Sequence, residues 1–399
     1  MVARKEELKY LYSFKDSEII KVITGLRRCG KSTLLEMFKD LLIKNGTPEK
    51  NIIRVNFESG EFFELDTYKK MYDYIDKKLQ PEGMNYILLD EVQVVPEFQK
   101  AVDALYIKKN CDLYITGSNS YLLSGELATL LSGRYVEIKM QPFSFKEFFE
   151  AAESGSRQES YRKYIETSSF PYVINLLENP EAVRIYLEGV YNSIIVKDIL
   201  NRKKITDVKI LTSITEFIFD NIGSELSSKR IADTLTSNGR KIDSRTVESY
   251  ISSLAETFVI YKAERYNIKG KEYLKSLEKY YVCDIGLRNS LLGKKSMDIG
   301  YVLENVIYLE LLRRNYAVFV GKIDNAEVDF VAQNEDGNLY IQVAATVRDE
   351  ATLERELKPL KSIRDSYQKM ILSLDDDPES DYDGIKRKNA IDWLLCNTQ

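Results

Sequence analysis

The chain has 399 residues, 44% hydrophobic and 30% charged, with 57 basic against 62 acidic residues and a net charge of −5. That is the composition of a globular protein of two or three domains without a global polybasic signal, so any nucleic-acid contact must come from a local patch. The chain contains no histidine, which excludes Ser-His-Asp hydrolysis and His-bound zinc and leaves carboxylates, Lys, Arg, hydroxyls and a hard metal such as Mg²⁺.

Residues 1–17 read as a polar lead-in, with Leu8, Leu11 and Tyr12 able to pack under a first strand. An apolar run, Ile19 to Ile23, then enters Gly25-Leu26-Arg27-Arg28-Cys29-Gly30-Lys31-Ser32, followed by Thr33. This fits G-x-x-x-x-G-K-[ST], the phosphate-binding loop. Two glycines let the backbone curl so that its N–H groups aim at a phosphate. The helix that follows adds its positive end. Lys31 is expected to reach the β- and γ-phosphates of ATP, and the Ser32 hydroxyl to ligate Mg²⁺. Leu34, Leu35, Phe38, Leu41 and Leu42 recur at helical spacing, and Asn45-Gly46 and Pro48 supply the stop.

Ile52 to Phe57 reads as a strand and Tyr68 to Lys78 as a helix. Tyr86-Ile87-Leu88-Leu89 then runs into Asp90-Glu91, the shape of a buried parallel strand ending in two carboxylates at the edge where ligands bind. Asp90 is expected to hold Mg²⁺ through water and Glu91 to polarise the attacking water. Phe98 to Lys109 reads as a helix and Asp112 to Thr116 as a strand, ending at Gly117-Ser118-Asn119-Ser120. Ser118 and Asn119 are candidates for a polar sensor of the γ-phosphate, against the alternative that they cap the next helix. Arg134 precedes a fifth strand at Tyr135 to Lys139 and is the first candidate for a γ-phosphate-sensing arginine.

The segments GLRRCGKSTLL, YILLDEVQ, LYITGSNS and SGRYVEIKMQPFSFKEF, in this order, resemble the bacterial and archaeal AAA-type ATPases fused to a C-terminal domain of unknown function. The resemblance continues through YNSIIVKDILNR, KYYVCDIGLRN, LENVIYLELLRR and EVDFVAQ, and so covers nearly the whole chain. It implies an α/β fold: a P-loop NTPase core with a parallel sheet, in which the glutamate-bearing strand is inserted next to the P-loop strand. A helical linker and a nuclease-like C-terminal fold follow.

The expected organisation is an AAA-type ATPase core at 1–150, a helical linker or lid at 151–205, a winged-helix-like domain at 206–290 and a small α/β nuclease-like domain at 291–399. In the third segment a helix at Ser227 to Leu235, a turn at Ser237-Asn238-Gly239, a helix capped by Asp243-Ser244 and a strand at Phe258 to Tyr261 form the winged-helix pattern. Lys229, Arg230, Arg240, Lys241 and Arg245 cluster around the second helix and suit DNA phosphates, against the alternative of interdomain packing. The last segment resembles the PD-(D/E)XK nuclease core. Glu304 and Asp329 match its metal-binding carboxylates; Gln342 stands where an acid is expected and Ala344 where the lysine is expected. Lys358 or Arg355 could substitute for that lysine, but a retained fold with lost chemistry is the expectation. Asp375 to Asp383 reads as a solvated acidic loop.

Together these features predict Mg²⁺-dependent ATP hydrolysis coupled to a conformational switch that acts on double-stranded DNA or a protein partner. The alternatives are an ATP-regulated DNA nuclease and a non-hydrolysing ATP-binding scaffold. The four scattered cysteines, Cys29, Cys111, Cys283 and Cys396, read as reduced thiols. With no secretory or membrane-spanning run, a cytoplasmic location is expected. An oligomer is compatible with all of this.

Overall fold

The computed structural model describes residues 4–118, 133–152, 155–200, 207–293 and 298–396. The chain divides into two compact units, residues 1–142 with 256–258, and residues 143–255 with 259–399.

The first unit runs α1 (Lys5–Ser13), β1 (Ile20–Gly25), α2 (Lys31–Lys44), β2 (Ile52–Asn56), α3 (Tyr68–Lys78), β3 (Asn85–Asp90), α4 (Phe98–Tyr106), β4 (Cys111–Gly117) and β5 (Tyr135–Met140). The strands pair in parallel in the order β2-β3-β4-β1-β5. Every residue of β1 and β3 is buried, as expected for central parallel strands covered on both faces by crossover helices. α2 contributes Leu34, Leu35, Phe38 and Leu42 to the core, and α4 contributes Phe98, Ala101, Val102 and Leu105. The charged residue inside β1 is Lys21, fully buried; its ammonium is paired with Asp112 of β4, whose other oxygen accepts from the Tyr114 hydroxyl at 3.0 Å. Burial of that charge without the partner would be costly.

The strand order corrects one expectation. The strand that carries Asp90-Glu91 does not lie next to the P-loop strand; β4 separates them. The inserted strand instead presents Thr116 to the acidic pair.

The second unit begins with α5 (Phe145–Ala152), α6 (Arg157–Glu166) and α7 (Pro180–Ser193), which continues as a π-helical stretch, Ile194–Leu200. Then come α8 (Val208–Asp220), β6 (Glu225–Leu226), α9 (Ser228–Ser237), α10 (Ser244–Glu256), β7 (Ile260–Asn267), β8 (Glu272–Val282) and α11 (Ile285–Leu292). α12 (Ile299–Arg313), β9 (Ala317–Ile323), β10 (Ala326–Asn334), β11 (Gly337–Ala344), α13 (Glu350–Lys361), β12 (Gln368–Ser373), β13 (Ser380–Tyr382), β14 (Ile385–Asn389) and α14 (Ala390–Leu395) complete it. Polar caps start several helices: Asn179 for α7, Ser227 for α9 and Asp349 for α13 each accept a hydrogen bond from a backbone N–H in the first turn.

Segments 206–290 and 291–399 do not form separate sheets. One nine-stranded sheet runs β13-β14-β12-β11-β10-β9-β7-β8-β6, and β7 joins β9 in parallel through Arg265 opposite Val320 and Tyr266 opposite Gly321. The acidic loop is also not uniformly solvated. Asp375 is 5% exposed and accepts from the Thr346 hydroxyl, the Val347 N–H and the Ser373 hydroxyl. Among the described residues, no helix is long and apolar enough to cross a membrane.

Candidate functional site

The turn from β1 into α2 shapes the first candidate site. Gly25 has φ +153°, and a Cβ there would lie 2.0 Å from the Met140 carbonyl oxygen of β5, so only glycine fits. Gly30, at the N-cap of α2, is left-handed with φ 105°. Between them Cys29 is fully buried and its thiol donates to the Met140 carbonyl at 3.5 Å. Arg4 fastens the loop from outside, donating to the carbonyls of Cys29 at 2.7 Å and Gln141 at 3.1 Å. Arg27 donates to Glu58 at 3.1 Å. Lys31 is 3% exposed; its ammonium donates to the carbonyls of Gly25 and Leu26, both at 3.1 Å, and lies 3.5 Å from a Glu91 carboxylate oxygen.

The acidic pair ends β3 at the same sheet edge. Glu91 is left-handed, with φ 54° and ψ 46°, a conformation that costs a non-glycine residue about 1–2 kcal/mol. The turn aims the Glu91 N–H at the Thr116 hydroxyl oxygen, 2.9 Å away, and that hydroxyl in turn donates to Asp90 Oδ1 at 2.6 Å. The Gln93 amide donates to Glu91 Oε2 and, at 3.4 Å, to the Ser118 hydroxyl. Burial would raise the Glu91 carboxyl, but the Lys31 ammonium, the Gln93 amide and the Arg27 guanidinium outweigh it and hold the group below its ordinary value. Asp90 goes the other way: burial pushes its carboxyl up, the Ser32 and Thr116 hydroxyls pull it down, and the neighbouring Glu91 charge raises it again.

The fit to a hard metal can be judged from Asp90. Its Oδ2 is buried and accepts no hydrogen bond, and such an oxygen ordinarily has a partner. A hydroxyl at Ser32 and a free carboxylate oxygen at Asp90 are the donor types Mg²⁺ selects. The residues present therefore fit the ion.

One sequence candidate does not join this group. Arg134 stands at the other end of the sheet. The register pairs Ile20 with Tyr135 and Gly25 with Met140, so the start of β5 lies about 17 Å from the P-loop by strand rise. There Arg134 pairs with Asp103 at 2.8 Å and covers the Tyr106 ring. The arginine whose charge reaches Glu91 is Arg27. Asn119 lies outside the described residues. Sequence reasoning missed Gln93 and Thr116. Gln93 was within view, in the segment Asp90-Glu91-Val92-Gln93, but only the turn at Glu91 brings its amide back onto the carboxylate.

Comparison with known proteins agrees with this geometry. Residues 17–149 match an AAA domain family, and residues 158–298 match a domain of unknown function, DUF8612. An uncharacterized protein of Haemophilus influenzae is 41% identical over 99% of both chains. The two chains belong to one family of AAA-domain proteins. An uncharacterized protein of Methanocaldococcus jannaschii is 29% identical over 87% of this chain and 79% of its own length. A Walker-type ATPase of Pyrococcus abyssi, 16% identical, shares the fold over 73% of this chain and 96% of its own, with a TM-score of 0.51. This AAA-family chain therefore carries a P-loop ATPase domain in its first unit.

The AAA-family chain has a second acidic cluster in its second unit. β10 and β11 set Asp329 opposite Gln342, and both Gln342 amide groups are occupied: its oxygen accepts from the Asp329 N–H at 2.7 Å and its nitrogen donates to Glu356 at 2.8 Å. Gln342 thus brings no charge to a metal, and its oxygen already accepts one hydrogen bond. Asp329 Oδ2 accepts from the Val343 N–H at 2.8 Å. Glu304, on α12, accepts from the Tyr281 hydroxyl at 2.7 Å and from Lys279 at 3.0 Å; Lys279 also pairs with Glu327 at 2.7 Å. The cation of this cluster thus comes from β8. Neither sequence candidate supplies it: Lys358 is exposed on α13, and Arg355 is 71% exposed and pairs with Glu356.

Proposed function

We propose that the first unit is an Mg²⁺-dependent ATPase whose turnover drives a conformational switch acting on double-stranded DNA or a protein partner. The supporting observation is the convergence of Lys31, Glu91 and the unpaired Oδ2 of Asp90 at one sheet edge. In this reading the amides of Gly25 to Thr33 and the α2 N-terminus receive the phosphates. Lys31 exchanges the carbonyls of Gly25 and Leu26 for β- and γ-phosphate oxygens. Ser32 and Asp90 would hold Mg²⁺, which when bound offsets the charge on those oxygens.

Glu91 orients and polarises a water. Its oxygen forms a bond to the γ-phosphorus as the bond to the β–γ bridging oxygen breaks. ADP leaves with that electron pair, and Glu91 accepts the proton of the water. Gln93 and Ser118 position Glu91, with Ser118 in the sensor role. The test is turnover in Lys31→Ala and Glu91→Gln. Collapse in both is expected, with nucleotide binding kept in Glu91→Gln. An unchanged low rate in both would leave only the non-hydrolysing scaffold.

For the second unit, duplex DNA is the favoured partner. The order α8, β6, α9, α10 and the hairpin β7–β8 supports a winged-helix reading. Lys229, Lys241 and Arg245 are exposed there. Arg230 and Arg240 each give one N–H to a carbonyl, of Glu225 and Lys209, and keep others for phosphate. Of the nearby acids, Asp243 is spent on the N–H groups of Arg245 and Thr246, and Glu248 accepts from Ser228. Binding should weaken steeply as salt rises; no binding at low salt would leave the protein partner. A cytoplasmic location belongs to the same reading.

A further inference from the structure

The nuclease-like reading of the second unit implies a divalent metal among Glu304, Asp329 and the residue at 342. The side chains present do not suit one. Gln342 carries no charge, and its oxygen already accepts from the Asp329 backbone. Between the remaining carboxylates stands an ammonium. Lys279 is 4% exposed, 3.0 Å from Glu304 and 2.7 Å from Glu327, and Asp329 lies within reach of its charge. One Glu304 oxygen already receives both the Tyr281 hydroxyl and the Lys279 ammonium. Among the described residues, no three carboxylates, cysteines or histidines are grouped to hold a metal ion.

We infer that Lys279 is the resident cation of this pocket, taking the place of a divalent metal among Glu304, Glu327 and Asp329, so that the second unit binds no catalytic metal and cuts no DNA. The substitution is also structural. Lys279 projects from β8, Glu304 from α12 and Glu327 from β10, so one ammonium ties three elements together. Its neighbours act in the same direction. The Asn305 side chain both accepts from the Val282 N–H and donates to the Val282 carbonyl, at 2.8 and 2.9 Å. The Tyr281 ring stacks on Tyr308 with centroids 4.1 Å apart. The hairpin β7–β8 is thereby fixed to the α12–β10 layer, consistent with one sheet running through both segments. Two carboxylates at 3.0 and 2.7 Å offset the cost of burying the Lys279 charge.

The test is a Mn²⁺ titration of the full chain without nucleotide, read by the electron paramagnetic resonance of the free ion. It is carried out in an Asp90→Asn background, so that metal at the P-loop does not contribute and failure of the ATPase reading leaves the result unaffected. No saturable Mn²⁺ binding is expected, and the melting temperature should be the same in EDTA and in Mn²⁺. Lys279→Ala should melt lower, and adding Glu304→Gln to it should lower the melting temperature less than Glu304→Gln does alone. Should Lys279→Ala fail to fold, Lys279→Arg keeps the charge and should fold without gaining Mn²⁺ binding. Saturable Mn²⁺ binding that Glu304→Gln removes, or Mn²⁺-dependent DNA cutting that Asp329→Ala removes, would overturn the inference.

Discussion

Glu91 Oε1 lies 3.5 Å from the Lys31 ammonium, both groups buried, while the same ammonium donates to two P-loop carbonyls. In the proposed mechanism the lysine that takes phosphate and the carboxylate that takes the water's proton are thus partners of each other before nucleotide arrives. A phosphate that draws Lys31 away would free Glu91 of its counter-charge at the moment it is needed as a base.

From this pairing follows an asymmetry between two variants. Glu91→Gln removes the base and keeps the cradle, so turnover should fall about a hundredfold or more while nucleotide affinity holds. Lys31→Ala should lose affinity and turnover together. Steady-state hydrolysis and equilibrium titration with a fluorescent nucleotide check both.

Gln93→Ala should act through position. Its amide is a hydrogen-bond donor to Glu91 and also reaches Ser118. Without it Glu91 is free to leave the attacking geometry, and kcat is expected to drop about tenfold with KM little changed. A rise in KM at constant kcat would place Gln93 on nucleotide binding instead.

The pH dependence has a definite sign. The folded Glu91 carboxyl is held below its ordinary value, so its contribution to stability is complete above that ordinary value, about 4.3, and is lost as pH falls through the folded value. Lys31→Met removes the largest of the groups that hold it down, so acid unfolding should begin at higher pH in that variant, as followed by circular dichroism.

In the second unit, Asp284 is 3% exposed and accepts from the Ser168 hydroxyl, the Ser169 hydroxyl and N–H, and the Leu287 N–H that begins α11. Asp284→Ala leaves those donors unsatisfied and should cost roughly 3 kcal/mol, seen as a lower denaturation midpoint with P-loop nucleotide affinity retained.

Thiol reagents should discriminate by burial. Cys29 and Cys283 are buried and their thiols are pushed up, Cys111 is pushed up to about 11, and Cys396 is exposed. Labelling of the native chain is expected at Cys396 first and without loss of nucleotide binding, as peptide mapping would show.

Much of the first unit was legible because its signals are local. A phosphate loop needs its glycines, lysine and hydroxyl within a single turn, and a buried parallel strand needs a continuous apolar run, so GLRRCGKST and YILLDE show themselves in order. Arg134 misled for the same reason. It sits just before a strand in the chain, yet which end of the sheet that strand offers depends on its register against β1. The acidic stretch from Asp375 misled as well, because charge density says nothing of the Thr346, Val347 and Ser373 donors folded around one carboxylate.

The sequence alone determined the phosphate-binding chemistry, the acidic pair after β3 and the absence of imidazole, because each rests on residue types and short spacings. Tertiary structure decided that β4 separates the two motif strands, that Gln93 and Thr116 hold the acidic pair, and that Lys279 meets Glu304 and Glu327. Those relations join residues on different elements, and only strand order, register and burial bring them within hydrogen-bonding distance.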